Sequence, residues 1–459
     1  MASILSVWSI LVTATVGEDS NVHEKAALCG LIELRANRAL LTEEEDTTTG
    51  AINNIMDLNM SLSAESWQKL FREPSNPENF RDLPKGEFTE NKDWPTKWPS
   101  WKAAAQRLKT GQAHETIQKK AGLQTADYAT LKQAVAAAGN LADQAATLQQ
   151  EITDIDSSGK LLKQQQLREA LDKQIYGATT ENEDAVEVAT LLRTAHSGTR
   201  QSTCEDDTTT GKVTTVLAAM LCVCSKDHSP SGDEGKTCSG KTALSNAWDA
   251  ASPPTATELG ELINLCDTKA AVQLTSSELQ TRINNSKKLL RRTSSGTYLG
   301  KIVGSNCDRK NNGGLCVKYT DITTGGGISF DKIPWLAGLQ QLVNKLNESE
   351  HAYSIKRALV RKLKTVTKEL DNIGNKARRS AAATALSTAS ETRPQKQEQD
   401  LKTQCEAHNK SKTACLGAKC AWIGQKDDDG PCTPTEAQVA EQQATQAGTG
   451  DETAGTDPN

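Results

Sequence analysis

The sequence predicts a mainly α-helical protein. We expect an elongated antiparallel coiled-coil helical bundle, a disulfide-stapled lobe of loops and short strands at one end, and a small separate four-cysteine C-terminal domain. One supporting observation is a heptad repeat of apolar residues over residues 131–155. Another is a composition of 36% hydrophobic and 4% aromatic residues, which is low for a compact core in a chain of 459 residues. The last is a set of 12 cysteines in two groups.

Two long helices are predicted from apolar spacings that alternate between three and four residues. The first extends over residues 127–156, and the second includes residues 336–346 and 359–373. A shorter helix is predicted over residues 24–45. Such apolar stripes must pack on one another, within one chain or across a dimer. The first seam consists of Leu131, Ala134, Ala138, Leu141, Ala145, Leu148, Ile152 and Ile155. The second seam consists of Leu359, Leu363, Val366, Leu370 and Ile373.

Other segments have a different character. Residues 73–100 contain five prolines and the tryptophans Trp94 and Trp98, which indicates a non-helical excursion with aromatic anchors. Residues 195–330 are rich in Gly, Ser, Thr and Cys, which predicts a loop-rich lobe held by disulfides.

The cysteines predict disulfide bonds formed in an oxidising compartment, because each group has an even number. Their pairing stays open at this point. The first group consists of Cys29, Cys204, Cys222, Cys224, Cys238, Cys266, Cys307 and Cys316, and the second of Cys405, Cys415, Cys420 and Cys432.

The N-terminus supports secretion, since residues 4–16 are apolar and Gly17 follows at a plausible cleavage site. We therefore predict a signal peptide over residues 1–17, with a buried first helix as the alternative. Four Asn-x-Ser triplets are candidate N-glycosylation sites in a secreted chain. Their asparagines are Asn59, Asn284, Asn347 and Asn409.

One motif points towards nucleotide binding. Residues 235–242 match the P-loop pattern, with Lys241 as its lysine. A working P-loop follows a buried strand, whereas the preceding residues 226–234 are polar and contain a proline. We therefore expect a surface loop.

Two further patterns suggest metal binding only weakly. Cys222, Cys224, Cys238 and His228 lack the usual zinc-ligand spacing. The run 427–430 lacks the alternating ligands of a calcium loop. The sequence therefore predicts no metal, no cofactor and no enzyme. The near balance of 53 basic and 58 acidic residues also argues against a nucleic-acid partner.

The order of these segments resembles a variant surface glycoprotein of African trypanosomes, of the class B type. The resemblance is carried by Cys29-Gly30, by Gly325–Ser329 leading into Ile333–Leu336, and by the cysteine pattern of the tail with Cys420-Ala421-Trp422. It implies an amino-terminal domain over 18–377 with a top lobe at 195–330, a linker at 378–400 and a C-terminal domain at 401–433. A disordered tail would follow at 434–459, truncated before an anchor signal.

The resemblance also implies a function. Such a protein is a structural coat glycoprotein on the extracellular face of the plasma membrane, held there by a glycosylphosphatidylinositol (GPI) anchor that this chain does not include. It would shield the membrane and support antigenic variation and immune evasion. Its partners would be a second copy of itself, host antibodies and the plasma membrane. A hexose in the top loop would attach at Ser329, Thr324 or Thr323.

Two alternatives remain open on the sequence alone. One is a receptor that uses the same helical scaffold to bind a host serum protein. The other, more remote, is an enzyme that binds a nucleotide through the P-loop-like segment.

Overall fold

The computed structural model describes residues 16–35, 38–42, 48–86, 88, 90–179, 188–193, 198–206, 212–228, 235–240, 242–266, 270–309, 313–320, 322–423 and 426–435. Helices dominate this part of the chain. They are α1 (Val22–Ile32), α2 (Thr48–Leu62), α3 (Glu65–Lys69), α4 (Trp94–Arg107), α5 (Gly111–Lys120), α6 (Tyr128–Ser157), α7 (Gln164–Tyr176), α8 (Val188–Leu191), α9 (Arg200–Cys204), α10 (Val216–Cys224), α11 (Ala256–Asn264), α12 (Ser276–Lys287), α13 (Pro334–Asp371), α14 (Ile373–Glu406) and α15 (Lys412–Gly417), with a 3-10 helix at Phe330–Lys332.

The strands are short. They are β1 (Ala39–Leu40), β2 (Arg72–Glu73), β3 (Asn76–Phe80), β4 (Glu205–Asp206), β5 (Lys226–Asp227), β6 (Ala247–Trp248), β7 (Val272–Gln273), β8 (Arg291–Thr293), β9 (Gly296–Lys301), β10 (Leu315–Tyr319), β11 (Thr323–Thr324), β12 (Gly327–Ile328), β13 (Ala421–Trp422) and β14 (Cys432–Thr433). The largest sheet among the described residues has the order β4-β10-β9-β8, in which only the β4–β10 pair is parallel.

The chain divides into two compact units. Unit 1 comprises Met1–Thr48 and Leu148–Lys362, and unit 2 comprises Thr49–Thr147 and Leu363–Asn459. Helices α6 and α13 each contribute residues to both units, so neither unit is formed by one continuous stretch of chain.

Unit 1 is organised around α10. All nine residues of this helix are buried, and its sequence VLAAMLCVC contains no polar side chain other than cysteine. Thr215 begins the helix, because its side chain accepts a hydrogen bond from the Ala218 amide. Helices α1, α7, α9 and α11 and strands β9 and β10 pack around it. A helix that is apolar on every side needs such enclosure.

Unit 2 contains an aromatic cluster built from α3, α4 and the turn after α3. Phe71 and Trp98 are its buried members, and their ring centroids lie 4.7 Å apart. Trp67 makes edge-on contacts with the rings of Trp94 and Trp101. Edge-on packing of this kind is the arrangement that the charge distribution of aromatic rings favours.

The structure confirms the mainly helical class, the disulfide-bonded loops and the cysteine-rich C-terminal region. Most residues of the first seam are buried in α6, from Ala134 to Ile152, and Leu359 to Leu370 of the second seam are buried in α13. The coiled-coil geometry and the elongated outline stay predictions.

Three sequence-based boundaries differ from the structure. The helix predicted over 24–45 ends at Ile32, and the chain continues into β1, which pairs in parallel with β7. The segment 73–100, predicted to be non-helical, becomes helical at Trp94, because Pro95 lies in the first turn, where a missing N–H costs little.

The segment 378–400, predicted to be a linker, lies within α14. Its alanines and other helix-favouring residues account for this outcome. Its role as a boundary between domains stays a prediction. The predicted signal peptide falls almost entirely outside the described residues, and so does the predicted tail from residue 436 onwards.

The start of α14 packs tightly against the turn between α5 and α6. A Cβ atom added at Gly374 would lie 2.6 Å from the Ala121 carbonyl oxygen and 2.7 Å from that of Gly122. Arg378 reinforces the contact, because its Nη1 donates a hydrogen bond of 2.9 Å to the Gly122 oxygen. Only glycine fits at this position without moving backbone.

We therefore expect Gly374→Ala to destabilise the protein by about 1–3 kcal/mol through overpacking. The matched control is Gly50→Ala, because Gly50 also lies in the first turn of a helix in unit 2 but has no neighbour within 4 Å of an added Cβ. Thermal unfolding followed by circular dichroism measures both. Equal melting temperatures for the two variants would contradict the tight packing at Gly374.

Candidate functional sites

All 12 cysteines form disulfides within the chain. Unit 1 contains Cys29–Cys266, Cys204–Cys222, Cys224–Cys238 and Cys307–Cys316, and the C-terminal region contains Cys405–Cys420 and Cys415–Cys432. The two cysteines at the end of α10 thus bond to segments on either side of it. The sulfurs considered as zinc ligands are engaged in these bonds.

A buried arginine forms a polar centre in unit 1. Arg200 is 2% exposed, and its Nη2 donates to the Ser225 carbonyl oxygen at 2.9 Å and to the Ser225 hydroxyl at 2.6 Å. Its Nη1 lies 3.4 Å from an Asp227 carboxylate oxygen, and its guanidinium lies 5.1 Å from the centre of the Trp248 ring. Sequence reasoning missed Arg200, because nothing in the sequence around it marks it as buried.

The P-loop-like segment has a different geometry from a phosphate-binding loop. The Gly240 amide donates to the Lys236 carbonyl, so it is not available to a phosphate. The Asp19 carboxylate lies against the loop, since a Cβ added at Gly240 would be 2.8 Å from its oxygen. A P-loop is followed by a helix, whereas residues 242–250, which are all described, form a strand and irregular chain. Lys241 itself lies outside the described residues.

Glu261 on α11 holds the chain that follows this loop. Its carboxylate accepts hydrogen bonds from the Ser245 amide at 2.6 Å and from the Asn246 amide at 2.9 Å. Burial raises the pKa of the Glu261 carboxyl, but these hydrogen bonds lower it more, so the pKa lies below its usual value. The ionised carboxylate is therefore an anchor between the loop and α11.

The predicted hexose sites lie on or beside a surface hairpin. Strands β11 and β12 pair across Gly325 and Gly326, which both have positive φ, as tight hairpin turns require. Arg292 holds the tip, because its Nη1 donates to the Gly326 carbonyl. Thr323 is exposed and Ser329 half-buried, and the Thr324 side chain lies outside the described part of the structure.

Three of the four predicted N-glycosylation sites lie inside helices. Asn59 is half-buried in α2, whereas Asn284 in α12 and Asn347 in α13 are exposed. The serines of these triplets are all buried and occupied by hydrogen bonds. Their hydroxyls contact the Leu58 oxygen, the Arg282 oxygen and the Leu162 amide.

The fourth site, Asn409, lies in the turn between α14 and α15. Its Oδ1 accepts a hydrogen bond of 2.7 Å from the Cys432 amide, which connects this turn to β14. A glycan would attach at Nδ2, so this hydrogen bond and a glycan are compatible. Occupancy at all four asparagines stays a prediction.

The C-terminal region is held by its two disulfides. All four cysteines are buried together, and Trp422 packs against them. Asp427, in the acidic run 427–430, forms an ion pair with Lys412 at 3.1 Å. Within the described residues, no group of three or more potential metal ligands occurs.

Two family models match this chain. A model described as the trypanosomal VSG domain matches residues 4–365, and a model of the trypanosome variant surface glycoprotein C-terminal domain matches residues 405–459. The first match covers more than half of the chain. The chain belongs to the trypanosome variant surface glycoprotein family.

Similar proteins agree with this assignment. Variant surface glycoprotein ILTAT 1.23 of Trypanosoma brucei brucei is 25% identical over 469 aligned positions, which cover 99% of this chain and 85% of that protein. Variant surface glycoprotein ILTAT 1.21 of the same organism is 24% identical over 330 positions, covering 69% of this chain and 65% of that protein. Family members are surface coat proteins.

The two matches leave residues 366–404 between them, which include most of α14. The cysteine-rich domain from Cys405 onwards thus corresponds to the family's C-terminal domain. Among the described helices of this variant surface glycoprotein, none is both long and apolar enough to span a membrane.

We expect Glu261→Gln to loosen the loop at residues 242–248, because an amide side chain has one acceptor oxygen where the carboxylate has two. Hydrogen–deuterium exchange should quicken at Ser245 and Asn246. The matched control is Glu258→Gln, since Glu258 lies on the same helix but accepts from the Thr255 amide instead. Unchanged exchange in Glu261→Gln would contradict the anchor.

The same anchor predicts a pH dependence. The pKa of Glu261 is lowered in the folded state. The stabilisation of the loop by the Glu261 carboxylate is therefore fully present above the unfolded pKa, and it is lost as pH falls through the folded pKa. Protection of the Ser245 and Asn246 amides, corrected for intrinsic exchange, should therefore fall on acidification below the usual glutamate range.

Proposed function

We propose that this variant surface glycoprotein is a structural coat protein that shields the parasite plasma membrane and varies antigenically. The observation that carries the proposal is how unit 1 is stabilised. Its stability comes from buried features: the α10 core, four disulfides and the Arg200 centre. Exposed loop residues contribute little to stability, so they can change while the fold persists.

The surface hairpin illustrates this division. Its backbone is fixed by two glycines and by Arg292, whereas the Thr323 side chain is exposed and free to differ between variants. Antibodies raised against one variant would recognise such side chains and attached glycans. The proposed partners on this surface are therefore host antibodies.

A GPI anchor would hold the full-length protein at the outer face of the membrane. We expect the full-length gene product, expressed in a trypanosome, to bind antibody on intact cells. Phosphatidylinositol-specific phospholipase C should then release it from the surface, and heat-inactivated enzyme should not. Intracellular retention, or resistance to the lipase, would contradict the proposed location and anchor.

Self-association is proposed through an exposed face of α6 in unit 2. Tyr128 and Val135 are seven residues apart, hence on one face, and they are 83% and 44% exposed. Gly139 continues the stripe, and no atom lies within 4 Å of an added Cβ there. An exposed aromatic and a valine beside open space fit the approach of a second helix.

We expect Val135→Lys to weaken the homodimer about tenfold or more, because it would bury a lysine ammonium in place of an apolar side chain in each subunit, and each 1.4 kcal/mol is a tenfold change. The control is Ile355→Lys, since Ile355 is also 44% exposed but lies on α13 in unit 1. Analytical ultracentrifugation measures both dissociation constants. Equal weakening by the two substitutions would exclude α6 as the specific interface.

A further inference from the structure

A fifth asparagine, outside the four Asn-x-Ser triplets, lies in another triplet that can be a substrate for N-glycosylation. Asn264, Leu265 and Cys266 form an Asn-x-Cys sequence. The transferase that attaches N-glycans recognises a hydrogen-bonding group on the third residue, normally a hydroxyl. A cysteine thiol can take that place, with lower efficiency, provided that it is not in a disulfide.

The position of Asn264 suits modification. It is the last residue of α11 and is exposed, whereas its neighbours Leu262 and Ile263 are buried. The Asn264 side chain forms no hydrogen bond with the described residues. A glycan on its nitrogen would therefore extend into solvent and would break no hydrogen bond of the Asn264 side chain with the described residues.

The triplet also lies where the helix ends, in contrast to the triplet at Asn347, which lies well inside α13. Beyond Asn264, the Leu265 amide donates to the Glu261 oxygen at 3.2 Å and the Cys266 amide donates to the Ile263 oxygen at 3.0 Å. Opening this single turn exposes the triplet in extended form. The triplet at Asn347 requires a helix interior to unfold.

Cys266 adds a condition. Its sulfur is bonded to Cys29, which lies 237 residues away in the sequence. While that bond exists, no thiol is present for recognition. Before it forms, Cys266 is a thiol in an open chain, so modification and disulfide formation compete for the same nascent molecule.

We propose that Asn264 is an N-glycosylation site that is used on chains whose Cys266 is still a thiol. Its amide nitrogen forms a bond to the anomeric carbon of a lipid-diphosphate-linked oligosaccharide. The bond between that carbon and the diphosphate oxygen breaks, and the amide loses one proton. Because the Asn264 side chain faces solvent, the Cys29–Cys266 bond can still form afterwards.

This inference rests on the proposed passage of the chain through the secretory pathway. A glycan at Asn264 would cover the surface next to the Cys29–Cys266 disulfide, which connects α1 to the chain just after α11. It would be present on a fraction of molecules, set by the relative rates of transfer and of disulfide formation.

The test measures site occupancy on newly synthesised full-length chains, while they are still in the endoplasmic reticulum, so that later folding defects do not select among variants. Glycans are removed enzymatically in heavy-oxygen water, and the peptide containing residue 264 is analysed by mass spectrometry. The variants are Cys29→Ser, which leaves Cys266 as a thiol, Cys266→Thr, which supplies a hydroxyl, and Cys266→Ala, which supplies neither.

We expect partial labelling of Asn264 in the unaltered chain, a severalfold increase in Cys29→Ser and in Cys266→Thr, and loss in Cys266→Ala. If the Asn-x-Ser sites are labelled but Asn264 is labelled neither in the unaltered chain nor in Cys29→Ser, the inference about Asn264 is wrong. The proposal that the protein is a secreted glycoprotein would still stand. If no asparagine is labelled in any chain, both are wrong.

Discussion

The enclosure of α10 is the constraint on which the structure of unit 1 depends. A helix of nine buried residues cannot persist in water, so other segments must surround it. The elements that do so come from distant parts of the sequence, from α1 to β10. Its terminal cysteines then bond outwards to Cys204 and Cys238. The same short helix thus supplies the apolar core and two attachment points for the loops.

Features that depend on residues close in sequence could be predicted, whereas features that depend on residues distant in sequence could not. The burial of Ala134, Leu141 and Leu148 could be predicted, because heptad spacing depends only on neighbours along one helix. The end of α1 could not, because β1 exists through its pairing with β7, more than 200 residues later. The grouping of cysteines indicated disulfides, but which cysteines pair depends on how the chain folds in three dimensions.

The site residues show the same limit. The P-loop-like pattern depends only on residues 235–242, whereas the groups around it come from other parts of the chain. Asp19 comes from the N-terminal segment and Glu261 from α11. Arg200 had no sequence signal at all, since a single arginine in a polar segment is normally exposed. The glycosylation triplets were visible in the sequence. Their occupancy stays a prediction, and the structure adds which asparagines are exposed and which serines are already engaged.

The sequence separations of the disulfides bear on how such proteins can diversify by genetic exchange. Three of the four in unit 1 join cysteines only 18, 14 and 9 residues apart. A recombined gene segment that encodes one such loop would encode both cysteines of its disulfide, so the transferred loop could still form that bond. Cys29–Cys266 is the exception, because its partners are 237 residues apart. A crossover between them yields a sound chimera only if both parents possess that pair, so this bond would restrict which variants can exchange halves.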